Sequence, residues 1–237
     1  MEGQQAKAGS RRPKLAALSG IRIVAALHIY LFHLKQAHDA KILTFSAFDA
    51  LPAPLALFLG RGCISTGFFF VLSGFVVCHA YRDRIGDRRQ FVGFLLRRIG
   101  RLWPLHLAVL FAMMLAVMAI NVVGHHPDRL LIDAGSGNYS LQALLLNAFL
   151  LNSMGLYGSA WNGPAWSIGA KFSPSILFAL VWLVARRKLL LGASALAVGA
   201  GLVIVTFAPA YMNSTADFGL IRCIAGFFTG VGAYHVH

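Results

Sequence analysis

Acidic side chains are scarce in this 237-residue chain: Asp and Glu number eight against 21 Lys and Arg, and charged residues of both signs make up 12%. Soluble domains carry about twice that share. A water-covered globule is therefore excluded, and the 58% hydrophobic content points to a polytopic membrane protein. Cysteine is nearly absent. Cys63, Cys78 and Cys223 are odd in number, far apart and set in apolar stretches, so neither a disulfide framework nor a metal site follows from them. There is no internal repeat or low-complexity tract. The chain also lacks a Gly-x-Ser-x-Gly elbow, a P-loop and a His-Glu-x-x-His pair, which removes the common hydrolase, nucleotide and zincin readings. A net charge of +13 would suggest nucleic acid for a soluble protein. Here no nucleic-acid motif is present, and the basic residues cluster in short loops beside apolar runs, as cytoplasmic anchoring predicts.

What is present is a succession of apolar segments. Residues 1–14 read as a basic cytoplasmic tail. Arg11, Arg12 and Lys14 before an apolar run look like a secretory signal, but the run is long, contains Arg22 and leads to His33, Lys35 and Gln36 instead of a small-residue cleavage site. It is read as a retained first span. Pro52 and Pro54 break the connection that follows, and a second span begins near Gly62. In it, small Ser73 and Gly74 stand among large aromatics and let another helix approach closely. The charged stretch from Tyr81 to Arg89 reads as a cytoplasmic loop, and a third span opens around Arg97 to Arg101 and ends near Val123. The connection over 124–138 should be outside. Residues 139–156 are short of a full crossing and flanked by Asn147, Asn152 and Gly155. If they did cross, Arg186, Arg187 and Lys188 would lie outside, against the positive-inside rule, so a re-entrant or shallow helix is preferred. Later spans are expected over 168–185, 189–207 and 218–236. The expected fold is an all-α polytopic bundle of six or seven spans with a candidate re-entrant helix.

Ionisable groups inside such segments need a reason to exist. Arg22 and His33 are eleven residues apart, which on a helix is three turns plus about 20°, so they share a face roughly 16 Å apart along the axis. His28 lies about 240° round from Arg22 and reads as a satisfied packing residue. Arg97 and Arg101 are at i and i+4, with Arg98 beside them, before Trp103 and Pro104. Read structurally, this is an interfacial anchor with a belt aromatic and a helix-start proline; read functionally, it is a phosphate site. His79-Ala80-Tyr81-Arg82-Asp83 matches a His-x-x-x-Asp pattern of some soluble acyltransferases, without their other features. Asn162-Gly163-Pro164-Ala165-Trp166-Ser167 is a turn leading into a span with Trp161 and Trp166 at headgroup depth. Lys171 follows, and near an interface it would snorkel.

Taken in order, Leu18-Ser19-Gly20-Ile21-Arg22 with His33, Phe69-Phe70-Val71-Leu72-Ser73-Gly74-Phe75, Arg97-Arg98-Ile99-Gly100-Arg101-Leu102-Trp103-Pro104, Asn162-Gly163-Pro164-Ala165-Trp166-Ser167 and Gly226-Phe227-Phe228-Thr229-Gly230 resemble the membrane acyltransferase-3 family, the O-acyltransferases of bacterial surface and secreted glycans. The resemblance implies transfer of an acyl group, foremost acetyl, from acyl-CoA as co-substrate to a carbohydrate hydroxyl, with no bound cofactor or metal. It implies a multi-pass protein of the bacterial inner membrane with a cytoplasmic N-terminus and residues 15–237 as the acyltransferase-like domain. His33 and Arg22 then fall on the family's arginine and histidine pair as the catalytic residues. Arg97, Arg98, Arg101, Ser73, Trp166 and Ser167 fall on substrate-binding motifs. His33 would take the proton of the attacking hydroxyl, Arg22 would steady the developing negative charge, and the arginines would hold the phosphates of coenzyme A. The chain departs from the family at Ser19, where aspartate is usual, and at Lys171, where glutamate is usual, followed by Ser173, Pro174 and Ser175 in place of aromatics. Members also have more spans than this chain holds, so the domain is expected to be incomplete at its C-terminus. A relative that binds without turnover and a small-molecule transporter are the competing readings.

Overall fold

The computed structural model describes residues 16–42, 44–123, 140–154, 161–215 and 217–236. The basic tail and the 124–138 connection lie outside them. Among the described residues there are nine α-helices and no strand. They fall into two compact units, residues 1–62 and 63–237.

In the first unit, α1 (Ala16–Asp39) is followed by two short helices, α2 (Ser46–Asp49) and α3 (Ala53–Leu59). Pro52 precedes α3 and Pro54 sits in its first turn, where a missing N–H costs nothing. On α1, Ala25 and His28 are buried and Phe32 lies against Gly62, so close that no side chain would fit at that glycine. His28 Nε2 donates to Phe58 O at 2.9 Å and its ring stacks on Phe58 with centroids 4.3 Å apart. It is the packing residue its position suggests.

The second unit holds α4 (Cys63–Tyr81), α5 (Arg88–Val123), α6 (Leu141–Ala148), α7 (Trp166–Ala185), α8 (Leu189–Phe207) and α9 (Gly219–Val236). Helix α9 is its centre, packing on α4, α7 and α8. The approach to α4 is close because Gly74 faces the Phe227 backbone and Gly230 faces the Val71 backbone, with no room for a Cβ at either glycine. The small residues on α4 thus do what their placement predicts. Phe94, Phe178, Trp182, Phe227 and Phe228 fill the core between α5, α7 and α9.

Two sequence expectations change. Helix α5 starts at Arg88, nine residues before Arg97, so the charged loop is shorter and Pro104 stands inside the helix instead of opening it. The cause is a cap: the Asp87 carboxylate accepts from the Gln90 N–H at 2.8 Å, and the Gln90 amide oxygen accepts from the Gly86 N–H at 2.6 Å.

Among the described residues five stretches are long and apolar enough to cross a membrane: 18–39, 63–81, 88–119, 163–207 and 219–236. The fourth contains both α7 and α8, separated by a 3-10 turn at Arg186–Lys188. Gly192 of α8 faces Val181 of α7, so the two helices pack on each other. Among the described residues these stretches therefore hold six apolar helices.

Helix α6 has eight residues, about 12 Å, too little for hydrocarbon of about 30 Å. Its termini are satisfied by protein. Ser140 Oγ accepts from the Ala143 N–H at 3.1 Å, while Trp103 Nε1 and His106 Nε2, both on α5, donate to the last carbonyls, Ala148 O and Asn147 O, at 2.7 and 2.8 Å. A second bond fixes the ends of α5 and α7. Trp182 Nε1 near the end of α7 donates to Ile85 O in the loop before α5, at 2.7 Å. The start of α5 and the end of α7 are therefore at one end of the unit. Arg186, Arg187 and Lys188 stand at the same end as Arg82, Arg84, Arg88 and Arg89.

Candidate functional site

Arg22 and His33 lie on one uninterrupted helix, so their shared face follows from α1 itself. Ala25, His28 and Phe32, the packed face, sit at about 240–300° from Arg22. Arg22 and His33, at 0° and about 20°, are therefore roughly a quarter-turn round from it. His33 is exposed and Arg22 partly so. His33 Nδ1 donates to Gln36 Oε1 at 3.1 Å, and the Phe32 ring lies 5.1 Å away. With its proton on Nδ1, the imidazole presents the Nε2 lone pair on the accessible side of the helix. At the end of α1, His38 differs. Its Nδ1 accepts from the Phe45 N–H at 3.2 Å and its Nε2 donates to Asp49 at 3.0 Å, so both nitrogens serve structure.

In the second unit, Arg97 and Arg101 are exposed on one face of α5, as the spacing predicts. Arg97 also leans over the Tyr81 ring, 5.8 Å from its centroid. Arg98 turns inward. Its Nη2 donates to Ser175 Oγ of α7 at 2.5 Å, its guanidinium lies 5.8 Å over Phe94, and its Nε is buried without a partner. Ser175 in turn donates to Lys171 O at 2.8 Å. Lys171 does not snorkel: its ammonium is held over the Phe69 and Phe70 rings of α4, at 5.3 and 5.6 Å. Ser73 is partly buried on α4 beside Gly74, Ser167 donates to Pro164 O at 3.3 Å within its own turn, and Trp166 packs on Phe70. The structure thus places Arg98, Lys171 and Trp166 around α7, with Ser73 on the facing α4. The His79 ring meets Tyr234, and the Asp83 carboxylate meets Arg82 at 3.5 Å.

Arg222, which no sequence motif marks, is the largest fully buried side chain among the described residues, 1% exposed. From α9 it donates to Ser214 O at 2.9 Å and Cys63 O at 2.7 Å, and it lies 5.7 and 5.6 Å over the Phe70 and Trp166 rings. It joins the starts of α4, α7 and α9. No carboxylate among the described residues pairs with Arg98, Lys171 or Arg222, so the bundle interior is strongly cationic. In an apolar setting such uncompensated charge marks a pathway or a binding site for anions.

Helices of this kind around a cationic interior define an α-helical membrane protein. The acyltransferase domain of the acyltransferase-3 family matches residues 15–236, and the chain belongs to that family. It is 25% identical over 183 residues to Acyltransferase MdmB of Streptomyces mycarofaciens, covering 73% of this chain and 41% of that one. It is 34% identical over 157 residues to Protein 2 in picA locus of Rhizobium radiobacter, covering 64% of this chain and 73% of that one. The chain therefore spans about two-fifths of the first relative's length. No solved structure matches.

Proposed function

We propose that the chain is an acyltransferase, or part of one, that moves an acyl group from acyl-CoA to a hydroxyl of a surface or secreted carbohydrate at the bacterial inner membrane. The observation that carries the proposal is His33, held by Gln36 so that Nε2 is its basic nitrogen. That nitrogen takes the hydroxyl proton as the oxygen attacks the thioester carbonyl; the C–S bond then breaks, and the same proton passes from Nε2 to the sulfur, so that coenzyme A leaves as the thiol and His33 returns to its neutral form. Arg22, on the same face but about three turns away, holds a phosphate oxygen of the donor. Arg97, Arg98 and Arg101 suit the phosphates of the donor, because guanidinium forks match phosphate oxygens. Trp166, Ser167 and Ser73 complete the substrate-binding set. The basic end of the second unit faces the cytoplasm, where acyl-CoA is made, and so does the N-terminus. The family membership and the relative named as an acyltransferase support the transfer reading. The test is acyl transfer from labelled acyl-CoA to glycan in a complemented strain. His33→Ala should lower it by about 10²-fold or more, and unchanged transfer would remove His33 from the mechanism.

Lys171 favours a second reading, a relative that binds donor without turnover. An ammonium over two phenyl rings supplies neither the acceptor nor the base of the glutamate usual in the family. Under this reading Lys171→Glu leaves donor binding intact and yields no transfer. A gain of transfer in that variant would show that the rest of the site is competent.

A further inference from the structure

We infer that an apolar pocket in the second unit holds the acyl chain of the donor and selects a chain of about four to six carbons, longer than acetyl. The inference rests on the acyl-CoA reading above and names the substrate class within it. The pocket is lined by Ile99, Leu102 and Trp103 of α5, Phe149 and Leu150 of the turn after α6, and Phe172 of α7, and has a volume of about 160 Å³. An engineered apolar cavity of about 150 Å³ accepts benzene, so this one has room for about six carbons. Its lining is mostly apolar, and the Trp103 N–H is already used on Ala148 O. Such a wall offers a hydrocarbon chain everything and a sugar or free phosphate nothing.

The occupant must also carry an anionic head. Arg98 directly precedes Ile99, and its guanidinium is bonded to Ser175, one turn from Phe172. The cation thus stands at the pocket end that continues into the basic segment Arg88–Arg101, with its Nε buried and free of a hydrogen-bond partner. A chain with phosphates at one end and hydrocarbon at the other fits this order of surfaces.

The far wall is built under strain, as binding sites often are. Leu150 has φ 62°, a left-handed conformation unfavourable for a leucine. It is kept there because the turn lies on α7 at Gly169, where a Cβ would collide with Leu150 O. An ordinary glycine turn would remove the strain and also the Leu150 side chain from the wall.

The experiment measures binding of CoA, acetyl-CoA, butyryl-CoA, hexanoyl-CoA and decanoyl-CoA to the purified full chain in detergent by calorimetry. Affinity should rise about fourfold per methylene up to about six carbons and then level. Phe149→Ala, at a side chain 62% exposed and so tolerant of truncation, should move the break to longer chains. Leu102→Trp should move it to shorter ones. Affinity independent of chain length would overturn the pocket and leave the acyl-CoA reading standing. A rise continuing through decanoyl without a break, unmoved by Phe149→Ala, would overturn it in favour of a lipid-facing groove that takes bilayer tails. No binding of CoA or any thioester would overturn the donor reading and the pocket together.

Discussion

An imidazole on the accessible side of a helix can turn about its Cα–Cβ and Cβ–Cγ bonds and offer either nitrogen, unless a neighbour fixes it. Gln36, one turn along α1 from His33, does this through its amide oxygen. Removing that acceptor should let the ring rotate. Gln36→Ala is expected to lower kcat about tenfold or more with KM little changed, and Gln36→Glu, which keeps an acceptor at the same reach, should restore most of it; a parallel fall in binding would mean a structural role instead. The His33 and Arg22 pair was legible because two charged groups in an apolar run are conspicuous. Gln36 was not, since a glutamine at the end of a span reads as an ordinary exit to water. Arg222 was hidden for a related reason. It falls in the first turn of its helix, where an arginine is taken for an anchor, and only the fold shows it enclosed by α4 and α7. Arg222→Met should destabilise the detergent-solubilised protein by roughly 1–3 kcal/mol for each carbonyl left without a donor, read as a lower unfolding temperature. Arg222→Lys should recover little, because one ammonium cannot replace a fork reaching two carbonyls in different segments.

At the level of elements, the apolar runs placed the helices well and their ends less well. Periodicity says little about where a helix enters charged sequence, and Asp87-Arg88-Arg89-Gln90 looks like loop until its capping pattern is noticed. Pro104 misled in the same place, because a proline is a common helix opener and is tolerated inside a membrane helix when neighbours supply hydrogen bonds. Helix α6 was legible as an anomaly, too short and too rich in asparagine to span. What no sequence pattern displayed was that Trp103 and His106 would terminate it. A close helix approach to α4 was legible from Ser73 and Gly74, but not that α9 makes it, and its other half, Gly230, was seen only as part of a motif. Gly230→Val should force the two helices apart and destabilise the protein by about 1–3 kcal/mol, more than the same change at Gly100, where nothing lies within 4 Å of the added carbon.

For the whole molecule, the bond from Trp182 to Ile85 ties two basic segments to one end. Cysteines placed at Arg84 and Arg187, in a background without the native thiols, should both be protected from a membrane-impermeant maleimide in intact cells and both react after permeabilisation. Labelling of one but not the other would mean that residues 124–165 cross the membrane after all. Helix α5 sets a further property. Its 36 residues are about 54 Å long, against hydrocarbon of about 30 Å, so the exposed Arg88, Arg89 and Arg97 reach past the apolar layer while Phe94 keeps that end packed on α7 and α9. Guanidiniums beyond the headgroups work at a distance, drawing anionic molecules from solution before any contact is made. That attraction is weakened by mobile ions, whose screening length is about 8 Å at physiological strength. The chain should accordingly be slower in concentrated salt when donor is dilute and indifferent to salt when donor is saturating, the behaviour of a protein whose first step is electrostatic capture.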